Sequence, residues 1–414
     1  MNRCNSFKQT EIGRLPKEWR VVRISNIGKV ITGTTPPTKI EEYWGEGYPF
    51  VTPTDFSMSK YVNRTERKVT EKGANRGKII PRDSVMVTCV ASVGEVALAL
   101  SECITNQQIN SIICNQKASP HYVYYALLFR KSLLKGWAGI TTTPIIKKSL
   151  FERFLIPLPP LPEQKKIAEI LSTVDEAIEK ADQAIERTQR LKEGLMQELL
   201  TRGIGRNEFK DMEIGRIPKG WEVVRLGDQS VTELIMGQSP PSSTYNEKGE
   251  GLPFFQGKIE FGEIYPTPTF YCSNPIKIAE PHDILLSVRA PVGEVNIAPF
   301  RCCIGRGLSA IRVKGNKLDY LFLFYLLKFN GKKFETLSAG STFKAIRRRE
   351  IENYLIPLPP LPEQKKIAEI LSTVDKRLEL LRKRKEKLER IKRGLMEDLL
   401  TGKRRVKVAQ AERS

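Results

Sequence analysis

LIPLPPLPEQKKIAEILSTVD runs from Leu155 to Asp175 and returns without a change from Leu355 to Asp375. Twenty-one identical residues at an offset of 200 mark a tandem repeat, and the rest of the chain falls into place around them. Downstream, GLMQELLT from Gly194 matches GLMEDLLT from Gly394, again 200 apart. Upstream, EIGRLPKEWRVVRI from Glu11 matches EIGRIPKGWEVVRL from Glu213 at an offset of 202. VTCVASVGEV from Val87 pairs with LSVRAPVGEV from Leu286 at 199. Each half therefore runs through an opening segment, a globular stretch, a Pro-rich hinge and a helix. The period is too long for a solenoid, so the chain is two copies of a two-part unit.

The hinge and helix are the most legible part. In LPPLPEQ the prolines impose a stiff, extended approach without backbone donors. Pro162 then suits a first helical turn, and Glu163 is favourable at its positive end. Beyond it, apolar residues recur at coiled-coil spacing: Leu171, Val174, Ile178, Ala181, Ile185 and Leu195, then Leu371, Val374, Leu378, Leu381, Leu388 and Leu395. Such a seam needs a partner helix, which each repeat supplies to the other; the alternative is that each helix packs on its own globular domain. Residues 163–200 span ~57 Å at 1.5 Å per residue, the length of a spacer.

The globular stretches, roughly 13–155 and 215–355, read as mixed α/β. Short β-rich runs at Ile79–Ile80, Ser84–Val90 and Ile284–Val288 are broken by Gly and Pro. Apolar helical stretches follow near Tyr122–Leu134 and Tyr320–Phe329. The domain boundaries are 1–154 and 207–354 for the globular domains, 155–206 for the first hinge and helix, and 355–414 for the second with its basic tail.

Charge supplies the first functional hint. The 68 Lys and Arg against 47 Asp and Glu give a net +21 and a pI near 9.6, which suits a polyanionic partner. Residues 1–160 alone hold 23 basic and 12 acidic side chains, so the excess is no mere tail. The longest strongly apolar run, Tyr320 to Leu327, has eight residues where a membrane span needs roughly 20. MNRCNSFKQTEIGR has no apolar core region of a secretory signal. Seven cysteines without a CxxC, and two distant histidines, His121 and His282, predict buried thiols in a reducing, cytoplasmic setting and no metal site.

Signatures of catalysis are missing. GANRGKI at Gly73–Ile79 has the wrong spacing for a phosphate loop and lacks the hydroxyl. No Gly-rich loop with a following acid would hold a nucleoside cofactor. Ser273-Asn-Pro-Ile lacks the Pro-aromatic ending of an amino-methyltransferase loop. Glu163-x-Lys165 opens a helix in both repeats and has no nearby upstream Asp to complete a nuclease site. The helical segments are partly identical while the globular domains differ at most positions. The simplest reading is one partner met twice and two different things read; gene conversion across the shared segment is the alternative.

Two divergent domains, each opening with EIGxxPxxW and closing with IPLPPLPEQKKIAEIL and a long helix, resemble the specificity subunit of a type I restriction-modification enzyme. The resemblance covers essentially the whole chain. It implies an α+β fold: two globular α/β target-recognition domains joined by two long helices in an antiparallel coiled coil, a pseudo-twofold tandem repeat. It implies that each domain reads one half of a bipartite DNA sequence and that the coil fixes their spacing. It also implies two modification (methyltransferase) subunits, which bring S-adenosylmethionine, and restriction subunits with ATP and Mg, while this chain binds no cofactor and is no enzyme. The expected docking residues are Pro159, Pro162, Glu163, Gln164, Lys165 and Lys166, with Pro359, Pro362, Glu363, Gln364, Lys365 and Lys366.

Phosphate contacts want Lys, Arg and backbone donors, whereas base readout wants paired hydrogen bonds from Arg, Asn, Gln and hydroxyls. In the first domain Arg64, Arg67, Lys68, Arg76 and Lys78 suit phosphates. Asn106, Gln107 and Gln108 suit base edges; Thr142 and Thr143 before Lys147 suit either. In the second domain Gly305-Arg306-Gly307 stands where the first has Asn106-Gln107-Gln108, and Arg289 replaces Val90. Gln256 and Lys258, then Ser341 and Thr342 before Lys344 and Arg347, complete the set. Two other readings stay open: a different sequence-specific DNA-binding scaffold without a methyltransferase partner, and an enzyme with an unrecognised site.

Overall fold

The computed structural model describes residues 7–56, 59–62, 64–139, 142–337 and 345–407. The chain forms two compact units, Met1–Ala184 with Arg382–Ser414, and Ile185–Leu381. Each unit thus takes one end of both long helices, Leu161–Thr201 and Leu361–Leu400.

In the first unit a five-stranded sheet carries the order Gly28–Thr32, Ile109–Cys114, Val85–Thr88, Val96–Ala99, Tyr61–Val62. All neighbours are antiparallel except the last pair. Val85–Thr88 is buried at every position because both its faces are covered. Successive strand side chains point to opposite faces. Accordingly Val85 and Val87 pack toward the helix Pro120–Phe129, while Met86 packs with Val51, Ile80 and Ile109 on the other side. A second sheet, ordered Arg67–Val69, Trp44–Val51, Cys103–Thr105, Ile79–Ile80, supplies that other side. The second unit repeats the plan. Ile284 and Leu286 face the helix Tyr320–Phe329, and Leu285 faces Phe255 and Ile304 of the outer sheet.

The apolar helices predicted near Tyr122–Leu134 and Tyr320–Phe329 are present; the first is two helices, Pro120–Phe129 and Lys131–Trp137. Tyr122–Leu127 and Phe322–Leu327 are buried all round, as a helix without a polar face must be. The hinge strands Leu155–Leu158 and Leu355–Leu358 pair antiparallel with Arg20–Arg23 and Glu222–Arg225 of the opening segments.

The long helices run antiparallel. In the first unit Lys392 meets Asp175 and Lys385 meets Asp182; in the second Lys192 meets Asp375. Both ways of packing foreseen for the seam occur together. Ile167, Ala168 and Leu171 join the core of their own domain, and Met396, Leu399 and Leu400 of the other repeat enter the same core. Of the expected seam residues, Leu171, Ala181, Leu371 and Leu378 are buried and the others are half-buried. Polar Thr188, Lys192 and Asp375 are buried among them, which an apolar heptad count omits.

Each long helix ends on a positive-φ glycine, Gly203 (+72°) and Gly402 (+71°), the left-handed cap that glycine favours. A Cβ on Gly402 would stand 2.4 Å from Pro16, so the chain after the helix lies close against the opening segment. There Arg405 binds Glu163 through Nε (2.6 Å) and Nη2 (2.9 Å) and reaches Glu18 at 2.8 Å. In the second unit Arg206 Nη2 and the Ile204 amide donate to Glu363 at 2.6 and 3.0 Å. No described helix is long and apolar enough to cross a membrane.

Candidate nucleic-acid interface

In both units the turn that the sequence singles out lies between the same two strands. Asn106–Gln108 joins Cys103–Thr105 to Ile109–Cys114, and Gly305–Gly307 joins Cys302–Ile304 to Leu308–Val313. The turn is braced on two sides. Cys89 N–H donates to the Gln108 carbonyl and Ile146 N–H to the Cys89 carbonyl; Val288 donates to Gly307 and Ile346 to Val288. The bridges Val90–Ile145 and Arg289–Ala345 extend the same brace. Asn106 N–H reaches the Val51 carbonyl and Gly305 N–H the Phe255 carbonyl, tying in the segment after each outer strand. A Cβ on Gly33 would stand 2.1 Å from the Asn106 carbonyl, and one on Gly237 would stand 2.1 Å from that of Gly305. Only glycine lets the neighbouring strand pass so close.

The result is a rim per unit with a shared scaffold and different side chains. In the first, Gln107 is exposed and accepts from Thr35 Oγ1 at 2.6 Å. Asn106 and Gln108 are half-buried, and their amides bond to each other (Asn106 Nδ2 to Gln108 Oε1, 3.0 Å), which helps hold the turn. Thr142, Thr143 and Lys147 are exposed beside the brace. In the second, Arg306 and Arg289 are exposed, with the Arg306 amide fixed on Ser239 Oγ at 3.2 Å. Gln256 is exposed next to the Gly305–Gly307 turn. Lys258 pairs with Glu294 at 2.9 Å, and Arg347 is exposed at the start of the short helix Arg348–Glu352. Ser341, Thr342 and Lys344 lie outside the described residues.

The basic run of the first domain divides. Arg67 stacks on Trp44, its guanidinium carbon 3.5 Å from the ring centroid, and Lys68 pairs with Glu46 at 2.5 Å. Lys78 donates to the Thr32 carbonyl (3.4 Å), beside the rim, while Arg64 and Arg76 are exposed. Thr35, Ser239 and Ile259 were not foreseen. Ile259 is 92% exposed in a 3-10 turn, Lys258–Glu260, whose Glu260 carboxylate accepts from Gly257 N–H at 3.3 Å. Its counterpart Thr54 occupies the similar turn Pro53–Asp55, where Asp55 accepts from Thr52 N–H at 2.7 Å. The T-P-T-D capping pattern was the available signal.

The docking residues also divide, and half need correction. Glu163 and Gln164 are buried, as are Glu363, Gln364, Pro159 and Pro359. Glu163 accepts from Trp19 Nε1 at 3.1 Å, and Glu363 from Trp221 Nε1 at 3.3 Å. Gln164 clamps the Ser119 amide and the Lys117 and Pro159 carbonyls; Gln364 does the same at Asp319, Lys317 and Pro359. A buried charge or amide needs such partners, and these side chains are used up inside the fold. Pro162, Lys165, Pro362, Lys365 and Lys366 are exposed and Lys166 half-exposed. Lys165 also lines a cleft of about 1520 Å³ with Tyr61, His121, Asp182, Lys385 and Arg393.

Burial pushes the Cys89 thiol up to about 11 and Cys103 to about 12, which leaves both protonated. Among the described residues no three His, Cys, Asp or Glu side chains form a group that could hold a metal ion.

Comparison with known proteins adds the following. Residues 16–187 and 218–390 each match the family of type I restriction modification DNA specificity domains. The chain is 40% identical over 417 residues to the putative type I restriction enzyme MjaX specificity subunit of Methanocaldococcus jannaschii, covering 97% of both. It is 32% identical to the MjaVIII specificity subunit of that organism, covering 97% of this chain and 96% of the relative. A chain solved in a study of assembly and conformational transition of the type I R-M system is 31% identical, with a TM-score of 0.59 over 94% of this chain and 99% of that one. The S subunit of the type I system from M. genitalium, 18% identical, shares the fold at a TM-score of 0.64 over 97% and 98%.

Proposed function

The chain belongs to the DNA specificity subunits of type I restriction-modification enzymes, with two target-recognition domains, and from that premise we propose how its residues divide the work. Each domain reads one half of a bipartite duplex target through its rim. One observation carries this: the two rims share their glycines, bridges and amide braces, yet present Gln107 and Val90 in one and Arg306 and Arg289 in the other. Equal scaffolds with unequal side chains are what two different base sequences require. Arg306 suits the paired acceptors of a guanine, Gln107 the acceptor and donor of an adenine, and Ile259 a thymine methyl. Exposed Arg64, Arg76, Thr142, Thr143 and Lys147 suit phosphates, which position without specifying.

The coil sets the distance between the half-sites. Lys165, Lys166, Lys365 and Lys366, at the starts of identical helices, dock two modification subunits. S-adenosylmethionine, ATP and Mg belong to the partner subunits, and this chain performs no chemistry of its own. Its place is the cytoplasm, where the DNA is. Single-molecule sequencing of methylated bases in DNA from cells expressing this chain with its modification subunit tests the reading. The expected result is an asymmetric motif of two short half-sites separated by unspecified base pairs. A continuous motif, or methylation by the isolated chain, would overturn it. Failure to copurify with a modification subunit would leave a DNA-binding scaffold of another kind.

A further inference from the structure

One polar cluster per unit sits where the domain helix meets both long helices. In the first, Tyr125 donates to Asp175 Oδ2 at 2.5 Å, and Lys392 Nζ stands 2.6 Å from Asp175 Oδ1. In the second, Tyr325 donates to Asp375 Oδ2 at 2.7 Å, and Lys192 Nζ stands 2.5 Å from Asp375 Oδ1. Each cluster joins three elements: the tyrosine from the domain helix, the aspartate from the long helix that follows it, and the lysine from the other repeat's helix. The Lys192–Asp375 side chains are only 5% and 6% exposed, the Lys392–Asp175 pair 24% and 18%.

The pairs obey one register. From Asp175 to Asp182 is seven residues forward, and from Lys392 to Lys385 seven back; ten more forward reach Lys192, and ten more back reach Asp375. A heptad seam of leucines and valines is indifferent to a slip of seven residues, since apolar positions meet apolar positions again. The charges are not indifferent. A slip one way sets Lys192 against Arg382 and Asp375 against Leu199; the other way sets Lys192 against Ala368 and Asp375 against Ile185. Either leaves a buried charge without its partner, the situation that polar seam residues penalise to select one register.

We propose that Asp375, held between the domain tyrosine Tyr325 and the opposite helix's Lys192, is a positioning residue that restricts the bipartite target to a single spacer length. Asp175 does not discriminate in the same way, since a slip of seven sets it against Lys385 or sets Lys392 against Asp182. The proposal rests on the coil setting the half-site spacing. It adds that the seam's hydrophobic residues supply the adhesion and the Asp375 carboxylate the register. Tyr325 carries that register into its domain, because the domain helix is bonded to the carboxylate that Lys192 also holds.

The test uses the full chain with its modification subunit, with spacer length read from the methylated sites. Asp375→Asn keeps the shape and an acceptor for Tyr325 but removes the charge. The wild type should mark one spacer. Asp375→Asn should mark the same half-sites at two or more spacers, with discrimination between the native and the next spacer falling at least tenfold. If the variant melts earlier yet keeps a single sharp spacer, the carboxylate is merely structural and the proposal falls. Should Asp375→Asn fail to fold, Lys192→Gln, which removes the partner charge of the same pair, carries the same readout with the same two outcomes. A wild type that marks no bipartite site sinks the underlying reading of the coil instead, so the two failures are distinct.

Discussion

Arg306 and Glu363 show how differently two charged residues of one unit can be used. Arg306 is exposed on a turn that glycines and a serine hold still, so its side chain is free to bond a base without reorganising the domain. Arg306→Ala should cost ~1–3 kcal/mol of binding if it pairs with a guanine, at one base pair of one half-site only. Competition binding against single-base variants of the target checks it; an equal loss on every DNA would make Arg306 a phosphate contact. Burial acts to raise the Glu363 carboxyl, but hydrogen bonds from Arg206, the Ile204 amide and Trp221 outweigh it and hold the carboxyl below its usual value. A depressed carboxylate contributes stability that is full above about pH 4.3, the unfolded value, and is lost as pH falls through the lower folded value. Glu363→Gln should therefore be less stable at pH 7 and lose less stability between pH 5 and 3 in urea unfolding. At this scale the sequence misled where a residue's type suited two tasks. Glu163 and Gln164 look like a docking face because they repeat, but they repeat because each copy must cap the same tryptophan and the same loop. Gln107 drew notice because it changed between copies, and its exposure on the turn is what the structure adds.

Among the elements, the long helices were the clearest from sequence. Apolar residues at coiled-coil spacing from Leu171 to Leu195 and from Leu371 to Leu395 mark a helix whether it packs on its partner or on its own domain. The buried Lys192 and Asp375 escaped, because a charge at a seam position looks like a solvated face until its partner is known. The strands were only partly legible: Val85–Thr88 is buried on both faces, which erases the alternation that marks a half-buried strand. The coil also invites a direct alteration. Adding one heptad to each helix at facing levels preserves the seam and lengthens it by ~10.5 Å, or ~3 base-pair steps of 3.4 Å. Methylome mapping of the double-heptad chain should recover the same half-sites about 3 base pairs farther apart. Recovery at the original spacing would reduce the helices to a docking surface. A shorter insertion in one helix alone should instead lower the melting temperature, because it throws the seam out of phase.

For the whole molecule, the repeat bears on stoichiometry. Two equal helix starts with exposed Lys165 and Lys365 predict two modification subunits per chain, which native mass measurement of the saturated complex would count. Charge reversal at Lys165 and Lys166 should weaken one site and the same change at Lys365 and Lys366 the other, leaving a complex with one modification subunit in each case. The repeat also hides an asymmetry of another kind. The second unit is contiguous, Ile185–Leu381, but the first needs Arg382–Ser414 to join Met1–Ala184, with Arg405 closing on Glu163 and Glu18. During synthesis at ~5–20 residues per second, the first domain to leave the ribosome waits roughly 10–40 s for the helix that completes its core. Throughout that interval the surface destined for Met396, Leu399 and Leu400 is bare, while the later-made unit gathers all its parts by the interval's end. The half of the protein that is born first is thus finished last, and a nascent chain arrested before residue 382 would carry one complete unit and one open one.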